Sequence, residues 1–141
     1  MKAATIEDVA GPLAAADFSG DGKLDLAVAS SFGVVVLPGH GDGTFGRAAR
    51  YTLPYQPSFV TVGDFNGDGH PDLALTSAVG DALWILLSEG DGTFSTTEFG
   101  FAVGANPQWI AVGDFNSDHK PDLAVANSGS NNVTALINTT Q

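Results

Sequence analysis

Carboxylates in this chain are gathered where they could hold a hard cation. Between Asp64 and Asp72, oxygen-bearing side chains fall at positions 1, 3, 5 and 9 of a loop: Asp64, Asn66, Asp68 and Asp72. Odd spacing in a tightly coiled loop turns such side chains inward, and the carbonyl of His70 at position 7 can join them. Gly69 at position 6 permits the positive φ of a sharp reversal. Four side-chain oxygens and a carbonyl, with one carboxylate bidentate, approach the oxygen-only shell that calcium takes. No nitrogen or sulfur ligand is implied, so zinc and copper fit poorly, and magnesium prefers to keep its waters.

The pattern occurs three times. The first loop offers Asp17, Ser19, Asp21, the carbonyl of Lys23 and Asp25. The third offers Asp114, Asn116, Asp118, the carbonyl of Lys120 and Asp122. Up to three calcium ions per chain are therefore expected. Ser19 is a weaker ligand than an asparagine would be. The third loop carries Ser117 and His119 at positions 4 and 6, where the second has glycines. Histidine enters the left-handed region less freely than glycine, so the third site is expected to be the weakest. Without metal, three like charges within nine residues would repel at close range. An EF-hand loop begins alike, but it needs an acid at position 12 and flanking helices. Position 12 is Val28, Leu75 and Val125, and the residues around it read as strand.

Something must hold these loops at regular intervals. The loop starts lie 47 and 50 residues apart, and Gly41-Asp42-Gly43-Thr44-Phe45 returns as Gly90-Asp91-Gly92-Thr93-Phe94. A period near 50 with several short strands per unit predicts propeller blades. The middle unit shows the expected anatomy: an inner strand over Phe59–Asp64, the loop, then strands over Asp72–Thr76 and Ala82–Leu87. An Asp91-Gly92 hairpin signal and a fourth strand over Phe94–Phe101 complete it. Apolar runs such as Leu83–Leu87 suit strands covered on both faces. The fold class is thus all-β: blades of four antiparallel strands, in three units over about residues 10–56, 57–104 and 105–141 of one module. The third unit stops after its third strand, Val133–Ile137, while Lys2–Glu7 precedes the first inner strand at Leu13–Ala16. Three blades are too few for a ring. Two chains exchanging that first strand would close a six-bladed homodimer and hide its edges. A longer parent propeller, or a sheet that is not a propeller, are the other arrangements.

Bulk properties exclude several classes. Five Lys and Arg against 16 Asp and Glu give a formal charge of −11, which repels nucleic acid and anionic membrane surfaces. Nine of those acids sit in the three loops. The absence of cysteine excludes disulfides and thiolate sites. No apolar run approaches a membrane span, and Met1–Glu7 lacks the apolar core of a signal peptide. His40, His70 and His119 are scattered among loops without a partnered nucleophile, so no catalytic set is expected.

The run Asp64-Phe65-Asn66-Gly67-Asp68-Gly69-His70-Pro71-Asp72-Leu73-Ala74 resembles the FG-GAP or VCBS repeat of integrin α-subunit propellers. The run starting at Asp17 is close to it, and the run starting at Asp114 is degraded. The resemblance implies structural calcium on one propeller face, in the loop between the first two strands of each blade. It also implies an extracellular adhesion, recognition or lectin module, binding a protein or a carbohydrate. A lectin with sugar sites between blades is the alternative to a plain scaffold, and a fragment of a propeller enzyme is the remote one. Trp84, inside an apolar strand, is expected in the core. Trp109 aligns with Phe59 and is expected between blades. The Tyr55–Pro57 and Asn106–Gln108 links are candidate ligand contacts on the rim. Asn132-Val133-Thr134 and Asn138-Thr139-Thr140 match the glycosylation sequon, a pattern common by chance.

Overall fold

The computed structural model describes residues 11–95 and 99–140. The strand expected over Lys2–Glu7 lies outside these residues. Eleven strands form among them: β1 (Leu13–Ala16), β2 (Asp25–Ser30), β3 (Gly33–Leu37), β4 (Ala49–Thr52), β5 (Phe59–Gly63), β6 (Asp72–Ser77), β7 (Ala82–Leu86), β8 (Phe99–Ala102), β9 (Pro107–Gly113), β10 (Asp122–Asn127) and β11 (Asn132–Leu136). They make three antiparallel sheets in the orders β1-β2-β3-β4, β5-β6-β7-β8 and β9-β10-β11. Each sheet is a meander whose first two strands are joined by an Asp-rich loop. No helix appears among the described residues.

The sheets stack face to face in a propeller-like row. Successive residues of a strand point to opposite faces, so β6 sends Leu73 and Leu75 back to the first sheet and Ala74 forward to the third. The first interface joins Phe18, Ala27, Val34 and Val36 to Val60, Leu73, Leu75, Trp84 and Leu86. The second joins Ala74, Leu83 and Ile85 to Ile110, Leu123 and Val125. The middle sheet is therefore covered on both sides. All six residues of β6 are buried, whereas β11 of the last sheet is exposed or half-buried throughout.

Two expectations need correction. The fourth strand of the middle unit is β8, Phe99–Ala102, and does not start at Phe94. Phe94 instead makes an isolated bridge to Ser88, because its ring leaves the sheet and fills the gap toward the first unit, where it is buried. Trp109 does not pack between sheets. It stands 61% exposed, since its counterpart Phe59 is covered by the following sheet and no following sheet exists among the described residues. Trp84 is core, as expected.

Candidate functional site

Each Asp-rich loop is wound around its first residue. In the second loop, Asp64 Oδ1 accepts the backbone N–H groups of Gly67 (2.7 Å) and Asp68 (3.1 Å), and Oδ2 accepts that of Gly69 (2.9 Å). Asp68 Oδ1 accepts the N–H of His70, and Asp68 Oδ2 accepts the Asn66 amide at 2.7 Å. Positions 1, 3 and 5 thus meet inside one turn through their own hydrogen bonds. These donors hold the Asp68 carboxyl below its ordinary pKa, the His70 N–H first and the Asn66 amide second.

The first and third loops repeat the winding. Asp17 accepts the N–H groups of Asp21 and Gly22, and Asp114 accepts those of Asp118 and His119. The Lys23 ammonium pairs with Asp21 at 2.8 Å and is the main reason that carboxyl is held low. In the third loop the Lys120 ammonium turns outward and bonds the Thr140 carbonyl, while the His119 N–H is the main group lowering the Asp114 carboxyl. Ser117 and His119 adopt φ of 65° and 68°, beside 79° and 87° at Gly67 and Gly69. The third loop therefore keeps the backbone path of the second with side chains that resist it.

Position 9 has a role the spacing did not reveal. Asp25, Asp72 and Asp122 are fully buried, and each bridges its loop to the end of the third strand. Asp72 Oδ2 accepts the Phe65 N–H and Oδ1 the Ser88 N–H, both at 2.8 Å. Asp25 does the same for Phe18 and Gly39, and Asp122 for Phe115 and Asn138. Burial pushes the Asp72 carboxyl above its ordinary value, the Ser88 and Phe65 N–H groups oppose this, and Asp68 and Asp64 add to the rise. The missed signal was local: the Asp at position 9 is the first residue of a strand in every unit.

The donor set fits a hard cation in kind. Positions 1, 3 and 5 of the second loop supply only oxygens and an amide, and the loop contains no Lys or Arg to neutralise them. In this arrangement the carboxylates are engaged by the loop's own N–H groups, and no cluster of three or more acidic or histidine side chains converges among the described residues. Calcium there would be held by Asp64, Asn66, Asp68, Asp72 and the His70 carbonyl, and would supply positive charge to the turn.

His40 Nδ1 lies 3.0 Å from Thr44 Oγ1, but that hydroxyl donates to Asp42 at 2.6 Å, so the histidine faces no free nucleophile. Tyr55 rests its ring near Trp84. Asn106 caps the link by bonding Asp81 and Ser128.

A family model for an FG-GAP-like repeat matches residues 17–75 and again 64–125. The chain belongs to the FG-GAP-like repeat family. Among solved structures it is similar to a lectin of Agrocybe aegerita, described as recognising non-reducing terminal N-acetylglucosamine. That match has 23% identity and a TM-score of 0.59, and covers 91% of this chain and 38% of the lectin. It is a likeness of fold. No curated protein matches the sequence.

Proposed function

We propose that this FG-GAP-like chain is a non-catalytic, calcium-stabilised recognition or scaffold module that works outside the cell. The observation that carries the reading is the second loop, where Asp64, Asn66 and Asp68 are wound into a single turn without a basic side chain. Calcium would be held by Asp64, Asn66, Asp68, Asp72 and the His70 carbonyl, and by the corresponding residues of the first and third loops. Its work is structural: it neutralises the turn and ties the first two strands of each sheet together. Metal that binds only the folded chain raises stability by mass action. Calcium titrated into chelator-treated protein should raise Tm progressively and EGTA should reverse the gain. A Tm indifferent to both rejects the metal.

The open face of the third sheet supports assembly. Trp109, Ala126 and Val133 form one row across it, matching the row Phe59, Thr76 and Leu83 that the second sheet buries against its neighbour. A second copy that lays its first sheet on this face would close a six-bladed homodimer.

A carbohydrate-binding reading competes for that same face. Exposed Trp109 shares a shallow depression with Asn127, Ser128 and Asn132. An exposed aromatic plane beside the polar side chains of Ser128 and Asn132 suits a sugar ring and its hydroxyls, and the fold likeness to a lectin points the same way. The two readings separate cleanly. Saccharide that quenches Trp109 fluorescence in a monomer favours the sugar, whereas a dimer indifferent to a glycan panel favours assembly.

A further inference from the structure

We propose that the Asn66–Gly67 bond is a self-modification site, where the side-chain amide is converted to an acid through the Gly67 nitrogen, and that Asp64 gates the step. Of the chain's asparagines, only Asn66 is followed by glycine. The chemistry needs water and no other reactant. The Gly67 nitrogen bonds to Asn66 Cγ and closes a succinimide ring. The side-chain nitrogen leaves as ammonia, taking up the proton that the Gly67 nitrogen loses. Water then opens the ring at either carbonyl. One opening leaves an aspartate, the other an isoaspartate whose main chain runs through the former side chain.

Packing does not shield this bond. Gly67 is exposed, and a Cβ built on it would meet nothing within 4 Å. Its nitrogen is uncrowded and water reaches the ring carbonyls. The winding of the loop is what shields it. The Gly67 N–H donates to Asp64 Oδ1 at 2.7 Å, so a carboxylate holds the proton that must leave. Loss of that proton would also set a negative charge against Asp64. Asp68 holds the Asn66 amide at both ends. Nδ2 donates to Asp68 Oδ2 at 2.7 Å, and Oδ1 accepts the Asp68 N–H at 3.0 Å. Turning Cγ onto the Gly67 nitrogen breaks both contacts. Hydrogen bonds to ionised groups such as these are the stronger class.

The other loops are internal controls. Asn116 makes the same two contacts with Asp118, at 3.0 and 3.1 Å. Ser117 follows it, at a φ of 65°, and its side chain crowds the attacking nitrogen. The first loop has Ser19 at this position and no amide to convert. The second loop is therefore the labile one. Conversion there adds a carboxylate between Asp64 and Asp68, or lengthens the main chain of the turn. Either product gives an opening of the loop a lasting chemical record.

The intact chain, incubated in warm, mildly alkaline EGTA buffer with and without urea, tests this. Conversion at each asparagine is read by peptide mass spectrometry and by isoaspartyl methyltransferase labelling. In urea, Asn66 should convert well ahead of Asn116, and Gly67→Ser should slow it to the Asn116 rate. Without urea, Asn66 should convert roughly tenfold or more slowly, the factor one hydrogen bond to a charged group supplies. Asp64→Ala, verified as folded by circular dichroism, should recover most of that factor. Hydrogen exchange at the Gly67 N–H of the unaltered chain tests the gate without a variant, and protection is expected. Equal rates at Asn66 and Asn116 in urea, equal Asn66 rates with and without urea, or open-chain exchange at Gly67 would each overturn the proposal. So would a folded Asp64→Ala chain that converts no faster. Every arm is run in EGTA, so the outcome is independent of the calcium reading.

Discussion

Asp68 and Asp118 occupy the same position in two loops of the same winding, and what separates them is the residue that follows each. Gly69 takes a φ of 87° freely, while His119 holds 68° against its own Cβ. A left-handed non-glycine residue costs about 1–2 kcal/mol, and replacing it by glycine returns part of that to backbone entropy. His119→Gly should therefore raise stability by about 0.5–1 kcal/mol, read as an upward shift of the urea midpoint. The same contrast orders the metal sites. In calcium, Asp68→Ala should lower Tm more than Asp118→Ala, because the second loop is the better-formed cation turn. Equal losses would refute the ranking. Asp72 belongs to another class. Its two oxygens hold backbone N–H groups of two segments, so Asp72→Ala strands both donors in a buried place. A loss of about 3 kcal/mol or more is expected even in EGTA.

At the scale of the element, a loop and the strand after it act as one unit. The second residue of each loop is a phenylalanine, and in the second and third units its ring folds back under the strand just left. A Cβ on Gly63 would come within 2.7 Å of the Phe65 ring. That close approach is why glycine precedes the loop in the second and third units. The Gly-Asp-Gly-Thr turn is a second such device, closed by Asp91 accepting the N–H and hydroxyl of Thr93. It swings Phe94 out of its own sheet and into the interface. Phe94→Ala would leave a cavity bounded by Phe18 and Tyr51, and a loss of about 3–5 kcal/mol in chemical denaturation is expected. Phe45 ends the equivalent turn of the first unit but packs on the outer cluster with Leu26 and Ala48. Its truncation should cost less than that of Phe94, and the two variants compared by urea denaturation check the assignment.

For the whole molecule, stability is a sum over sheets and the interfaces between them, as in other repeat proteins. The middle sheet is buried on both sides, and the last presents Trp109 and Val133 to solvent, at 61% and 67% exposure. An apolar row of that kind, matching a covered row one repeat earlier, favours a copy of the next sheet. Light scattering of the calcium-loaded protein should give a mass near twice 14.4 kDa. Trp109→Glu should return it to one chain while leaving the far-ultraviolet circular dichroism unchanged. A monomer at all concentrations would remove the six-bladed ring and leave the Trp109 surface to a smaller ligand.

Three loops, the repeat near 50 residues and the strand order were all legible in the chain itself. Each depends on residues close together in sequence, where turn geometry and side-chain period act locally. The left-handed strain at His119 was visible for the same reason. What required the folded structure was everything set by contact between repeats. The period placed Trp109 and Phe59 in the same register, yet one is covered and the other bare, because coverage depends on whether another sheet follows. Phe94 looked like the start of a strand, since its neighbours in sequence are strand formers, but its ring is claimed by Phe18 and Tyr51 some 76 and 43 residues away in the chain. The carboxylates at position 9 read from the sequence as cation ligands alone. The fold also makes them clamps, because a buried carboxyl needs donors, and only the packed sheet brings the second N–H within reach.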